Sequence, residues 1–200
     1  MARRLTDPAL VAATFNKGKV AELTELLGAY GLHVVSASDL GLSEPAETGE
    51  HFVENAAIKA RAAAVATGMP AIADDSGFCV AALDGLPGID TALWADAADG
   101  KRDYARAIAK LARLLPRGAT PAAWFICALV LAWPDGQVEA FEGRVDGRLT
   151  LPPRGTRGFG YDPAFTPLGY DLTFGEMEPA AKHLVSHRAD AFRQLVRACL

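Results

Sequence analysis

The sequence predicts an α/β fold, and three stretches carry that expectation. Ala71-Ile-Ala73, an apolar triplet after Pro70, runs directly into Asp74-Asp75-Ser76-Gly77, as a buried strand does where it emerges from a sheet. Ala9-Leu-Val-Ala-Ala13 passes through a polar turn into a helical pattern, giving strand, turn and helix in succession. Ala122 to Trp133 is an unbroken apolar run, shorter than the roughly 20 residues of a membrane span and of the kind found in a buried strand. Open α/β sheets bind ligands beyond the carboxyl ends of their strands, which draws attention to Asp74, Asp75 and Ser76. Successive strand residues point to opposite faces, so the two aspartates cannot both aim into one pocket unless the backbone has turned. One of them is expected to work and the other to hold the turn.

Composition narrows the class. The chain has 200 residues, of which 50% are hydrophobic and 22% charged, the balance of a globular protein. A formal net charge of −4 argues against a broad nucleic-acid-binding face, though not against a small nucleotide in a local basic pocket. Cys79, Cys127 and Cys199 are odd in number, far apart and without partners at zinc-ligand spacing, so neither a disulfide framework nor a structural zinc site is indicated. Arg3 and Arg4 are followed by Asp7 and Pro8 and then by an apolar stretch too short for an export signal. The expectation is a soluble, cytoplasmic protein with no membrane partner, a single domain over 1–200 with a core lobe at about 1–109 and 155–200 and a smaller lobe at about 110–154.

Each element follows in order. After the first strand, Thr14-Phe-Asn-Lys-Gly-Lys19 leads to a helix with Val20, Leu23, Leu26, Leu27 and Tyr30 at helical spacing and Gly31 as its stop. Such a turn either presents backbone N–H groups and two lysines to phosphate or is an ordinary capped helix start with solvated lysines. His33-Val-Val-Ser36 reads as a second strand. A loop from Ser38 to Glu50 contains Glu47-Thr-Gly49, and a helix is expected from about His51 to Thr67 with Phe52, Ala56 and Ala63 buried. Asn55 and Lys59, four apart, share one face of it, a pairing more typical of a solvated surface. Glu47 by itself suits a helix start.

Phe78 to Leu83 reads as a further strand or a short helix, and Asp84 to Ile89 as a stiff turn. Lys101 to Leu115 is expected as a helix with Tyr104, Ile108, Leu111 and Leu115 on its apolar side. Trp124 to Ala132 and Val138 to Val145, joined by Trp133-Pro-Asp-Gly-Gln137, form a predicted hairpin. Arg154 to Pro163 packs glycines, arginines, Phe159, Tyr161 and Asp162 into ten positions, as a close-approach loop with stacking faces or as a plain glycine loop. Ser186 is a natural cap for a last helix with Phe192, Leu195, Val196 and Cys199 inside, which puts His187 and Arg188 in a first turn where the dipole disfavours cations.

Six segments taken together resemble the inosine triphosphate pyrophosphatase family: Thr14 to Lys19, Glu47-Thr-Gly49 with Phe52 to Ala56 and Lys59, Ala73 to Gly77, Leu86-Pro-Gly88, Gly158 to Pro163, and Ser186-His-Arg188. The resemblance implies a two-lobed α/β fold, a long mixed central sheet flanked by helices with the active-site cleft between lobes, and a homodimer. It implies Mg2+-dependent hydrolysis of ITP, dITP or XTP to the monophosphate and pyrophosphate. By the same resemblance Glu47 and Asp75 hold the metal, Asp75 takes a proton from the attacking water, and Ser76 touches the substrate. Asp74 supports. Thr14, Phe15, Asn16, Lys17, Gly18 and Lys19 line the phosphate end, with Asn55 and Lys59 beside them. Phe159, Gly160, Tyr161 and Asp162 meet the purine, the two aromatics by stacking and Asp162 by accepting from a ring N–H. Lys182, His187 and Arg188 donate to the oxygen at position 6 that adenine lacks.

Three positions depart from the family's pattern. Phe15 stands where a small residue is usual, Leu93 where a basic one is common, and Arg157 where glycine is frequent; Arg157 is expected to offset part of the charge that Leu93 lacks. A related pyrophosphatase for other triphosphates would keep Glu47 and Asp75 and change only the base contacts. A non-catalytic nucleotide sensor would have no need of Glu47, Asp75 and Ser76.

Overall fold

A computed structural model describes residues 2–97 and 101–200. The main elements are β1 (Ala9–Ala12), α1 (Lys17–Gly28), β2 (His33–Ser36), α2 (Phe52–Thr67), β3 (Ala71–Val80), α3 (Tyr104–Leu114), β4 (Ala122–Ala132), β5 (Val138–Leu149), β6 (Phe165–Pro167), α4 (Pro179–Val185) and α5 (His187–Cys199). Among the described residues six strands form one sheet in the order β2-β1-β3-β4-β5-β6. β1 runs parallel to both β2 and β3, whereas β5 and β6 are antiparallel. The sheet is therefore mixed, as expected.

The chain divides into two compact units. The first comprises 1–75, 127–143 and 190–200, and the second 76–126 and 144–189. In the first unit the period of two along each strand sorts side chains onto two faces. Leu10 and Ala12 of β1, Ile72 of β3, and Cys127, Leu129 and Leu131 of β4 pack with Leu23 and Leu27 of α1 and with Phe192 and Leu195 of α5. The intervening residues Val11, Ala71, Ala73, Ala128, Val130 and Ala132 pack with Ala56, Ala60, Ala63 and Ala64 of α2. Alanines dominate that second face, which lets the helix backbone lie close to the sheet. In the second unit Phe78, Phe125, Tyr161, Phe165 and Phe174 form an aromatic core closed by Ala107, Ile108 and Leu111 of α3. Phe78 lies stacked on Tyr161, with ring centroids 5.1 Å apart.

Several boundaries differ from expectation for identifiable reasons. β3 does not end at Ala73; it runs on through both aspartates to Val80, so Phe78 to Val80 belongs to the same strand and no turn intervenes. α3 starts at Tyr104 because the Asp103 carboxylate accepts from Arg106 N at 3.0 Å and caps the helix there. α1 ends at Gly28, which leaves Tyr30 half exposed rather than in the buried stripe. β5 extends to Leu149 because its far end, Gly147 to Leu149, pairs with β6, a strand with no local signal. The expected smaller lobe at 110–154 coincides with neither unit, since 127–143 belongs to the first. No helix among the described residues is long and apolar enough to cross a membrane.

Candidate active site

The uninterrupted course of β3 sends Asp74 and Asp75 to opposite faces, and each is met by the lysine of the helix on its own side. Asp74 is fully buried, on the face shared with α1, and its Oδ1 pairs with Lys19 Nζ. Lys19 Nζ also donates to the Asp74 carbonyl at 3.3 Å. Asp74 Oδ2 accepts from Cys127 Sγ at 2.8 Å, a contact with no counterpart among the expected site residues. Cys127 was hidden because its apolar strand gives no sign of which neighbour each residue faces. Ionic partners of this kind explain why the strand carries a carboxylate inside the sheet without breaking.

Asp75, on the α2 face, accepts from Lys59 Nζ at 3.1 Å, and the same ammonium donates to Glu47 Oε1 at 2.8 Å. Asn55 and Lys59 are not on a solvated surface: they are 3% and 6% exposed, because their face of α2 turns toward β3. Glu47 is not the helix-start acid either. Glu54 has that role, its Oε2 accepting from the backbone N–H of Glu50 and of His51 at 2.7 and 3.2 Å. Asn55 Oδ1 accepts from Gly49 N at 2.8 Å and so ties down the loop that carries Glu47. Glycine is needed at 49, where a Cβ would lie 2.6 Å from the Glu54 Cβ and 2.8 Å from Asn55 Oδ1.

Electrostatics within this cluster are mutually dependent. Burial raises the Asp75 pKa above its ordinary 3.8, the charges of Lys59 and Lys19 pull it down, and Glu47 pushes it up again; the outcome is a raised value. For Lys59, burial acts to lower the pKa, but the charge of Asp75 and the hydrogen bond and charge of Glu47 outweigh it, leaving the ammonium held above its ordinary 10.5. Two like charges are thus kept within reach of each other by one shared cation.

In the loop before α1, Asn16 Oδ1 accepts from Gly18 N at 2.9 Å and Lys19 N at 3.3 Å, so the side chain expected to face phosphate also caps the helix. Thr14 is buried, and its Oγ1 accepts from Asn16 N at 3.2 Å, whereas Lys17 is exposed. Phe15 helps to line a cavity of about 220 Å3 with Ala37, Leu42, Pro45, Lys59 and Ala63.

In the second unit Asp162 and Lys182 are both nearly sealed from solvent and pair at 2.8 Å. Asp162 Oδ2 also accepts from Phe159 N at 2.8 Å, which fixes the glycine loop. Gly158 has φ 72, and a Cβ there would run into the Asp162 carboxylate. Phe159 lies beneath two cations, with Lys182 Nζ 4.9 Å and Arg188 Cζ 5.8 Å from its ring centroid. Ser186 Oγ accepts from Ala189 N at 3.2 Å, the predicted cap. His187 stacks on Phe125 with centroids 4.8 Å apart, and Arg188, 1% exposed, reaches Ser76 Oγ at 3.4 Å.

Tyr161 does not offer the expected stacking face. It is 1% exposed, flanked by Phe78 and Tyr104, and its hydroxyl donates to Thr91 O at 3.3 Å, so only Phe159 of the two aromatics is half accessible. Nor is Arg157 placed to offset Leu93, because its guanidinium donates to Glu176 O at 2.8 Å and pairs with Glu178 at 2.5 Å.

The first unit carries paired carboxylates and lysines, groups that suit a metal ion and phosphates, and the second carries cations beside a half-accessible aromatic ring, groups that suit a flat base. The chain belongs to the Ham1 family, whose family model matches residues 10–198. It is 52% identical to a protein of Agrobacterium fabrum named dITP/XTP pyrophosphatase, with 99% of each chain covered. Among solved structures it is similar to a HAM1 protein from Coxiella burnetii, with TM-score 0.84, 35% identity, and 96% of this chain and 98% of that one covered. A structure titled nucleoside-triphosphatase / dITP/XTP pyrophosphatase from Mycobacterium abscessus superposes with TM-score 0.72 at 39% identity, covering 94% and 98%.

Proposed function

We propose that this protein is a nucleoside triphosphate pyrophosphohydrolase that cleaves ITP, dITP and XTP to the monophosphate and pyrophosphate. The observation that carries the reading is the single Lys59 ammonium shared by Glu47 and Asp75. It gathers an exposed loop acid and a buried strand acid into one donor pair at the edge of the buried region. The names of the relatives supply the substrate class.

The donor pair suits Mg2+. Among the described residues no group of three or more His, Cys, Asp and Glu side chains could hold a metal ion, but Mg2+ asks for only one or two carboxylates, with waters and substrate phosphates completing its shell. When bound by Glu47 and Asp75 it would supply charge neutralisation for the triphosphate and polarise the phosphoryl group under attack. The remaining work falls to the chain. Asp75, its proton affinity raised by burial, takes the proton of the attacking water. Lys19 and Lys59 neutralise phosphate oxygens, and Ser76 donates its hydroxyl to the substrate.

In the second unit Phe159 stacks on the purine while Lys182, His187 and Arg188 meet its position-6 oxygen. Adenine brings an amino donor to those donors and leaves them unmatched, at a cost of about 1 to 3 kcal/mol. Asp162 keeps Lys182 and the Phe159 backbone in register.

A substrate panel with pyrophosphate detection tests the reading. ITP and XTP are expected to release pyrophosphate with Mg2+ present, ATP and GTP far more slowly, and none after chelation. Equal rates on all four would remove the base-end assignment, and orthophosphate as first product would mean that a different bond is cut. The proposal includes a homodimer, for which light scattering should give the mass of two chains.

A further inference from the structure

Cys127 is a buried group that the proposed reaction leaves without a task, yet it touches the site. It is fully buried on β4, the neighbour of β3, and its thiol donates to Asp74 Oδ2 at 2.8 Å. The other oxygen of that carboxylate holds Lys19 Nζ. Lys19 keeps 14% of its side chain exposed, so it stands at the edge of the buried region.

We infer that Cys127 is a positioning residue for Lys19, acting through Asp74 on the triphosphate end of the substrate. The inference rests on the reading of Lys19 as a phosphate ligand. Its physical basis is the geometry of a carboxylate: rotation about its last torsion is soft and roughly two-fold, so a contact at one oxygen leaves the group free to pivot. A donor on each oxygen fixes the plane. Lysine is a point charge on a flexible four-carbon stem, and its position is only as well defined as the acceptor that anchors it. Lys19 has a second anchor in the Asp74 carbonyl at 3.3 Å, which the same rigid strand segment supplies. A thiol suits the place because it lies among Leu129, Leu131 and Ile72, where a small apolar group that still carries a weak donor is required.

The test is steady-state kinetics on ITP with Cys127→Val, Cys127→Ser, Lys19→Met and the Cys127→Val, Lys19→Met pair. Cys127→Val keeps the volume and removes the donor; KM should rise about tenfold with kcat within about twofold, the pattern of lost ground-state binding. Cys127→Ser restores a donor and should stay within about twofold of the parent in both constants. In the Lys19→Met background the valine change should alter KM by less than about twofold, because the group it positions is gone. An unchanged KM in Cys127→Val, a serine variant as impaired as the valine one, or the same KM rise in both backgrounds would each overturn the inference. Calorimetry with inorganic tripolyphosphate and Mg2+ separates this from the enzymatic reading. Should the parent release no pyrophosphate from ITP, that reading falls; a Cys127→Val variant binding tripolyphosphate about tenfold more weakly would still uphold the positioning role, and equal binding would overturn it.

Discussion

Asp74 and Asp75 have the same chemistry and adjacent positions, and the strand gives them separate partners. The alternation argument made from sequence holds, although its premise of a turn does not: the backbone stays extended, and the two acids separate by face alone. Asp75→Asn is expected to lower kcat on ITP by about a thousandfold while nucleotide affinity changes only a few-fold, since Lys59 keeps Glu47 as a partner. Kinetics paired with calorimetry checks this, and near-normal turnover would require another residue to activate the water. The two aromatics of the glycine loop should behave differently. Tyr161→Ala should cost about 3 to 5 kcal/mol of stability in denaturant unfolding, as a buried aromatic in a stacked core does. Phe159→Ala should leave stability nearly unchanged and weaken ITP binding.

At the scale of elements, α1 depends on Asn16 for both its start and the placement of Lys19. Asn16→Ala should therefore destabilise the protein by about 1 kcal/mol, measured by urea denaturation, with Asn16→Asp close to the parent. What was legible here followed local rules: the Ser186 cap, the stripe of α3 and the strand-turn-helix passage at the start of the chain all came from short-range chemistry. The burial of Asn55 and Lys59 did not, because a helical face is solvated or buried according to what lies opposite. That partner, Asp75, stands 16 residues further on. β6 was illegible for the same reason: three residues become a strand only when Gly147 to Leu149 are beside them. The full length of β3 was missed because two charges in a row read as an exit from the sheet until their lysines are known.

Over the whole molecule the class of fold could be read from the sequence and the mixed sheet from the family resemblance, whereas the boundaries of the two compact units could not. β4 and β5 contribute to both units, and a boundary inside a strand leaves no mark in composition. The thiols give a property of the folded state as a whole. Burial raises Cys79 to about 11, against a small opposing pull from Arg144. Burial likewise raises Cys199 to about 11, with Glu139 adding to it. Both ordinarily ionise near 9.0, so in the unfolded chain they lose protons first. The stabilising preference for the neutral thiol is complete below pH 9 and is lost between about pH 9 and 11. Unfolding free energy should fall across that window, and Cys79→Ala should flatten the fall; an unchanged slope in that variant would remove Cys79 from the account.

The pairing of each aspartate with the lysine on its own side makes the spacing between Pro70 and Asp75 intolerant of insertions and deletions. A single codon gained or lost there would present every following side chain to the wrong helix, giving Lys19 and Lys59 each other's carboxylate or none. Loss of activity from such a frame-preserving change should be far greater than from any conservative replacement of Ala71, Ile72 or Ala73.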